Sequence, residues 1–121
     1  EGRSVLFHCS AGKDRTGMGA VYLLTALGVD EATIRRDYLA SNKYLAPWQA
    51  KQLAKRQLPK TGQEIYLTNL RALGSVNDTY LETALHVMQR EYGSLENYLH
   101  NELALTKSQV ADLKKIYLDR V

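Results

Sequence analysis

The ten residues His8-Cys9-Ser10-Ala11-Gly12-Lys13-Asp14-Arg15-Thr16-Gly17 constrain this chain more than any other stretch. They set its single cysteine at the start of a glycine-bearing turn closed by an arginine. Upstream, Arg3-Ser4-Val5-Leu6-Phe7 is a short run with an apolar core that reads as a buried strand, and downstream Met18-Gly19-Ala20-Val21-Tyr22-Leu23-Leu24 reads as helix. A loop between a strand and a helix N-terminus turns successive amide N–H groups toward one point. The positive end of the helix dipole adds to them, and anions bind to such an arrangement. The expected fold class is α/β, with one N-terminal strand leading into the loop and about six packed helices. A lone parallel strand has nothing to pair with. Further strands are therefore expected in sequence before Glu1-Gly2, which makes residues 1–121 the C-terminal portion of a single domain.

The residue types in the loop suit attack on a phosphoryl group. A thiol with a pKa of about 8.5 becomes a nucleophile at neutral pH when helix N-termini and cations bring it to about 3.5–7.5, and Cys9 has both at hand. The backbone from Ser10 through Ala11, Gly12, Lys13, Asp14 and Arg15 to Thr16 forms the cradle. Arg15, six residues after the cysteine, can hold two oxygens through its planar fork, which a lysine does not match. Lys13 adds a second cation, the Thr16 hydroxyl can donate to the thiolate, and His8 can support the loop through its ring nitrogens. Asp14 is the acid built into the loop and hence the candidate for protonating a leaving oxygen. Taken singly, a cysteine after an apolar run is a buried small hydrophobe and a Lys-Asp-Arg run is a solvated cluster. The C-x5-R spacing with glycine, threonine and a following helix favours the anion cradle.

One cysteine excludes an intrachain disulfide and a multi-cysteine metal site. No metal and no cofactor are expected, and His86 and His100 have no visible partners at ligand spacing. A net charge of +3 suits anionic substrates without marking a nucleic-acid binder. No apolar run reaches the roughly 18 residues of a membrane span. Localisation, cytoplasmic or secreted, is left open.

Punctuation organises the rest of the chain. A first helix runs from about Thr16 or Gly17 to Leu27, with Gly28 at the left-handed position after it. Asp30 caps a second, through Ile34, Tyr38 and Leu39 to about Asn42. Pro47 suits the first turn of a third, basic helix over Trp48 to Gln57, followed by the loop Leu58-Pro59-Lys60-Thr61-Gly62. Further helices cover Gln63 to Leu73, then from Ser75 or Asn77 to Tyr92, then from the cap Ser94 to about Glu102. Thr106 and Gln109 form the capping box of the last, on which Val110, Leu113 and Tyr117 share a face. Lys51, Lys55 and Arg56, with Lys60 after them, read first as a solvated face; the other reading is a mobile cover that attracts phosphoprotein or phosphoinositide head groups.

The loop His8 to Gly17 resembles the H-C-x-A-G-K-D-R-T-G signature of the atypical bacterial cysteine-dependent tyrosine phosphatases that also act on phosphoinositides. Asp37-Tyr38-Leu39-Ala40-Ser41-Asn42 and Tyr92-Gly93-Ser94-Leu95-Glu96-Asn97-Tyr98-Leu99 are similar to later segments of that family. The resemblance implies a cysteine-phosphatase-like fold and a hydrolase of phosphate monoesters on phosphorylated protein or phosphoinositide. It implies Cys9 as nucleophile forming a cysteinyl-phosphate, Arg15 as phosphate clamp and Asp14 as acid and then base. Lys13 is implied as an added contact suited to multiply phosphorylated substrates. Many relatives in the wider superfamily take their acid from a Trp-Pro-Asp loop; here Pro47 precedes Trp48 and Gln49 follows it, so no such loop is present. Two other classes stand beside this reading. One is a phosphate-binding module or fragment without turnover. The other is an arsenate reductase or sulfur transferase, weakened by the absence of a resolving thiol.

Overall fold

A computed structural model describes residues 3–118, and among them the chain forms six helices and no strand. The strand expected over Arg3–Phe7 is not formed. The segment is irregular and leaves Val5 74% and Leu6 90% exposed. A strand is held by hydrogen bonds to a neighbouring strand, and among the described residues there is none to supply them. Phe7 alone of its apolar residues is docked, its ring 3.3 Å from where a Cβ on Gly19 would sit. Glu1-Gly2, read as leading into that strand, lies outside the described residues.

The helices are α1 (Arg15–Ala26), α2 (Glu31–Ala54), α3 (Gln63–Gly74), α4 (Asp78–Tyr92), α5 (Leu95–Asn101) and α6 (Lys107–Tyr117). Their starts follow local chemistry. Asp30 accepts from the Thr33 amide, Asn77 from Thr79 and Ser94 from Asn97, while Thr106 and Gln109 satisfy each other's backbone reciprocally. Each such cap stabilises its helix by about 1 kcal/mol.

The separate helices expected on either side of Pro47 are one helix. Proline in a helix interior removes a hydrogen bond to the carbonyl four residues back and crowds it, at a cost of about 3 kcal/mol. Lys43, which carries that carbonyl, is exposed, as are Tyr44 and Pro47. The proline thus falls on a solvent-facing stretch of the helix, where a lost backbone bond costs less than in a core. Beyond Pro47, Gln49 packs against Gly74 at the end of α3, which has no Cβ to block it. That contact gives α2 a reason to continue.

The core lies among α1, the first half of α2, α4 and α5. Val21, Ile34, Tyr38, Val76 and Leu81 form its buried cluster, with Met18, Leu24, Leu39, Leu85 and Leu95 packed around them. Two polar devices brace it. Asn42 accepts from the Val76 amide and donates to the Val76 carbonyl, both at 2.8 Å, pinning the α3–α4 connection to α2. Arg35 bonds Glu31 on its own helix and Asp78 and Glu82 on α4. Its guanidinium is held above its ordinary range by the bonds to Glu31, then Glu82 and Asp78. Neither α3 nor α6 has a fully buried residue. The far half of α2 and α3 thus stand outside the core, beside the loop that precedes α1.

Candidate active site

The loop from Cys9 to Asp14 wraps the N-terminus of α1. Gly12 takes the left-handed conformation at φ 70°, where a Cβ would strain the backbone. Its amide N–H donates to Cys9 Sγ across 3.3 Å. Gly17, one turn on, lets the Tyr38 ring approach to 3.4 Å of its missing Cβ, so α1 seats closely on α2 and the loop inherits a rigid floor. No acidic residue occupies the first turn of α1, and Asp14 at its N-cap makes no side-chain cap. The positive end of the helix is left uncompensated by its own side chains.

Cys9 is half-buried. Its thiol is lowered to about 6. The largest cause is the Thr16 hydroxyl, followed by the Thr16 amide; burial opposes them, and the Gly12 and Ala11 amides help. Thr16 Oγ1 is buried and has no acceptor at full hydrogen-bonding geometry. Its proton is therefore free to turn to the sulfur. At pH 7 the thiolate is the main form, and it is lost as pH falls through about 6.

The Asp14 carboxylate pairs with a neighbouring cation instead of capping the helix. Its Oδ2 accepts from Lys13 Nζ at 2.6 Å; the Asp14 side chain is 56% exposed, whereas that of Lys13 is 7% exposed. The lysine expected as a second cation is buried and tied to the acid. Arg15 donates to Ser10 Oγ across 3.2 Å, so the guanidinium lies back over the loop as the C-x5-R spacing requires. His8 is exposed and makes no hydrogen bond to the loop. Tyr38 is pushed above its usual range by burial and then by the Asp14 charge, which keeps this phenol neutral beside the site. Among the described residues no group of three His, Cys, Asp or Glu side chains is placed to hold a metal ion. No helix there is long and apolar enough to cross a membrane.

A family model described as the tyrosine phosphatase family matches residues 1–119. The chain belongs to that family. A protein of Cupriavidus necator carrying a tyrosine-protein phosphatase name is 37% identical over 117 residues, covering 97% of this chain and 40% of its own length. The triple specificity protein phosphatase PtpB of Mycobacterium tuberculosis is 35% identical over 107 residues, covering 83% of this chain and 39% of its own. A tyrosine-protein phosphatase of Nostoc commune is 55% identical over 42 residues, 35% of this chain and 14% of its own length. The chain spans about two fifths of the length of the first two relatives. The resemblance to bacterial cysteine-dependent tyrosine phosphatases, read from the loop, stands.

In this member of the tyrosine phosphatase family, the loop also opens onto a cavity of about 440 Å³ between the far half of α2 and α3. Ala11 and Lys13 line it from the loop side, and Gln49 and Arg71 from the helices. Sequence reasoning passed over Gln49 and Arg71. A polar residue on one helix and a cation on another carry no signal until the helices are brought together. Of the basic residues noted around the third expected helix, Arg56 lines the cavity, and Lys51, Lys55 and Lys60 are exposed.

Proposed function

We propose that the chain carries the catalytic loop of a phosphoric monoester hydrolase acting on phosphotyrosine, with phosphoserine, phosphothreonine and phosphoinositides as further substrates. The observation that carries this reading is the loop at the N-terminus of α1, where the Gly12 amide donates to Cys9 Sγ across 3.3 Å and Arg15 folds back to Ser10 Oγ across 3.2 Å, an arrangement in which the single thiol is lowered. In the first step the Cys9 thiolate attacks phosphorus, forming the S–P bond as the P–O bond to the leaving group breaks, and Asp14 gives that oxygen its proton. In the second, water attacks phosphorus and the S–P bond breaks. Asp14 takes the water's proton, and inorganic phosphate leaves a restored thiolate. Arg15 and the amides from Ser10 to Thr16 hold the charge of both transition states, as donors already in place before reaction. Lys13 sits beside the acid and contacts further phosphate on the substrate. The exposed Val5 and Leu6 fit a chain that forms the C-terminal portion of an α/β phosphatase domain, where they would pair within a sheet.

Cys9→Ser tests the mechanism. The variant is expected to lose turnover of an aryl phosphate while still binding phosphate or vanadate, because the loop amides and Arg15 are untouched. Full activity in Cys9→Ser refutes it.

A further inference from the structure

From Tyr38 to Gln63 the chain carries Lys43, Lys51, Lys55, Arg56 and Lys60 and no acidic residue. The positive charge of a chain whose net charge is +3 is thus concentrated in one stretch, and the remainder is slightly acidic. All of these cations are exposed, and among the described residues none of them pairs with a carboxylate. Large apolar side chains stand among them. Tyr44, Trp48 and Lys51 follow one another on α2 at i, i+4 and i+7, and Lys55, the C-cap of the helix, comes at i+11. At about 3.6 residues per turn these positions share one face. On that face Tyr44 is 77% and Trp48 56% exposed, and Leu58 is exposed just beyond the helix. Lys43 Nζ lies 6.0 Å from the centre of the Tyr44 ring. Exposed apolar surface rimmed by polar residues marks an interaction site.

We propose that this face docks the chain on an anionic lipid bilayer, with Tyr44 and Trp48 in the headgroup layer and the lysines against the negative surface. The kind of charge and its apolar companions point to this occupant. Arg56 is the only arginine among the cations of the stretch; the others are lysines. Protein–protein interfaces are depleted in lysine and favour arginine, whose planar fork pairs with individual carboxylates. A bilayer presents diffuse negative charge, which flexible point charges meet without fixed geometry, each adding to the attraction within a Debye length. Trp and Tyr favour the lipid–water boundary, where an apolar body and a polar tip are both satisfied. Lysine stems lie along apolar surface and keep their ammonium groups in water. The attraction is to bulk anionic lipid and needs no phosphorylated headgroup in the Cys9 loop, so docking and hydrolysis are separable. Trp48 lines the same cavity as Ala11 and Lys13, so docking brings that loop close to the membrane.

The test uses phosphatidylcholine vesicles with and without phosphatidylserine, and reads binding by sedimentation and by the emission of Trp48, the sole tryptophan of the chain. Co-sedimentation and a blue shift of Trp48 are expected only with phosphatidylserine present. Both should be reversed in about 0.5 M salt and be indifferent to inorganic phosphate added at constant ionic strength. Lys51→Gln with Lys55→Gln should weaken binding about tenfold or more, since each cation near the surface is worth roughly fivefold. Lys107→Gln with Lys115→Gln removes the same charge from exposed positions on α6, and should weaken binding about twofold or less. Equal losses in the two pairs, sedimentation with Trp48 emission unmoved, or no binding to phosphatidylserine overturns the inference. So does a polyglutamate peptide that shifts Trp48 at a lower concentration of charge than the vesicles do, which would make the partner an acidic protein. Hydrolysis of a soluble aryl phosphate is measured alongside and should be the same in all variants, so a failed docking face and a failed mechanism give different results.

Discussion

Removing the Thr16 hydroxyl tests how this fold lowers the Cys9 thiol. Thr16→Ala deletes the largest of the effects that lower the Cys9 thiol to about 6, and leaves the amides of Thr16, Gly12 and Ala11 in place. The helix tolerates the change, because Thr16 lies in the first turn of α1 and alanine is the better helix former. A hydrogen bond to a charged group is among the stronger kinds, so the midpoint of thiolate formation should rise by about one to two pH units. For a rise of about 1.5, the thiolate fraction at about pH 6.5 falls from roughly three quarters to one tenth, an approximately eightfold loss. The assay is the rate of iodoacetamide alkylation against pH, which is unambiguous because Cys9 is the only thiol. The unmodified chain should alkylate half-maximally near pH 6, losing reactivity as pH falls through that value. Thr16→Ser should restore the midpoint that Thr16→Ala moves. An alanine variant whose profile overlays that of the unmodified chain would refute the reasoning, and would assign the low value to the backbone alone.

The brace at the α3–α4 connection is open to a simpler measurement: Asn42→Leu leaves the Val76 amide and carbonyl without partners. It should cost about 2 kcal/mol in urea denaturation followed by far-ultraviolet circular dichroism, and an unchanged midpoint would contradict the bracing role. Arg35→Gln should cost less, about 1 kcal/mol, because its three carboxylate partners are all more than half exposed and surface pairs are screened. The difference from the unmodified chain should shrink in about 1 M salt; a loss indifferent to salt would mean that Arg35 acts through packing.

Much of the helical order was legible because its signals are local. Asp30, Asn77, Ser94 and the Thr106–Gln109 box each work through a bond to an amide two or three residues away, a distance sequence alone specifies. Gly28 and Gly93 stand after α1 and α4 at positive φ, 85° and 84°, as expected of residues that end helices. Pro47 misled for the same reason. Its local preference is to end a helix, and it is overruled on an exposed stretch of helix, Lys43 and Tyr44 included, and by the seat of Gln49 on Gly74. The strand over Arg3–Phe7 failed differently. Apolar residues in an extended run state a preference, but a strand exists only when another backbone accepts its hydrogen bonds.

The candidate site divides along the same line. Cys9, Gly12, Arg15 and Thr16 are close in sequence, and a tight turn before a helix leaves them few ways to be arranged, so the loop and its spacing determined which groups gather around the thiol. Tertiary structure decided what no spacing encodes. It buried Lys13 against Asp14 and seated Tyr38 against Gly17. It also drew Gln49 and Arg56 of α2 together with Arg71 of α3 around one cavity. Those residues are joined by packing across helices, and packing depends on which faces meet.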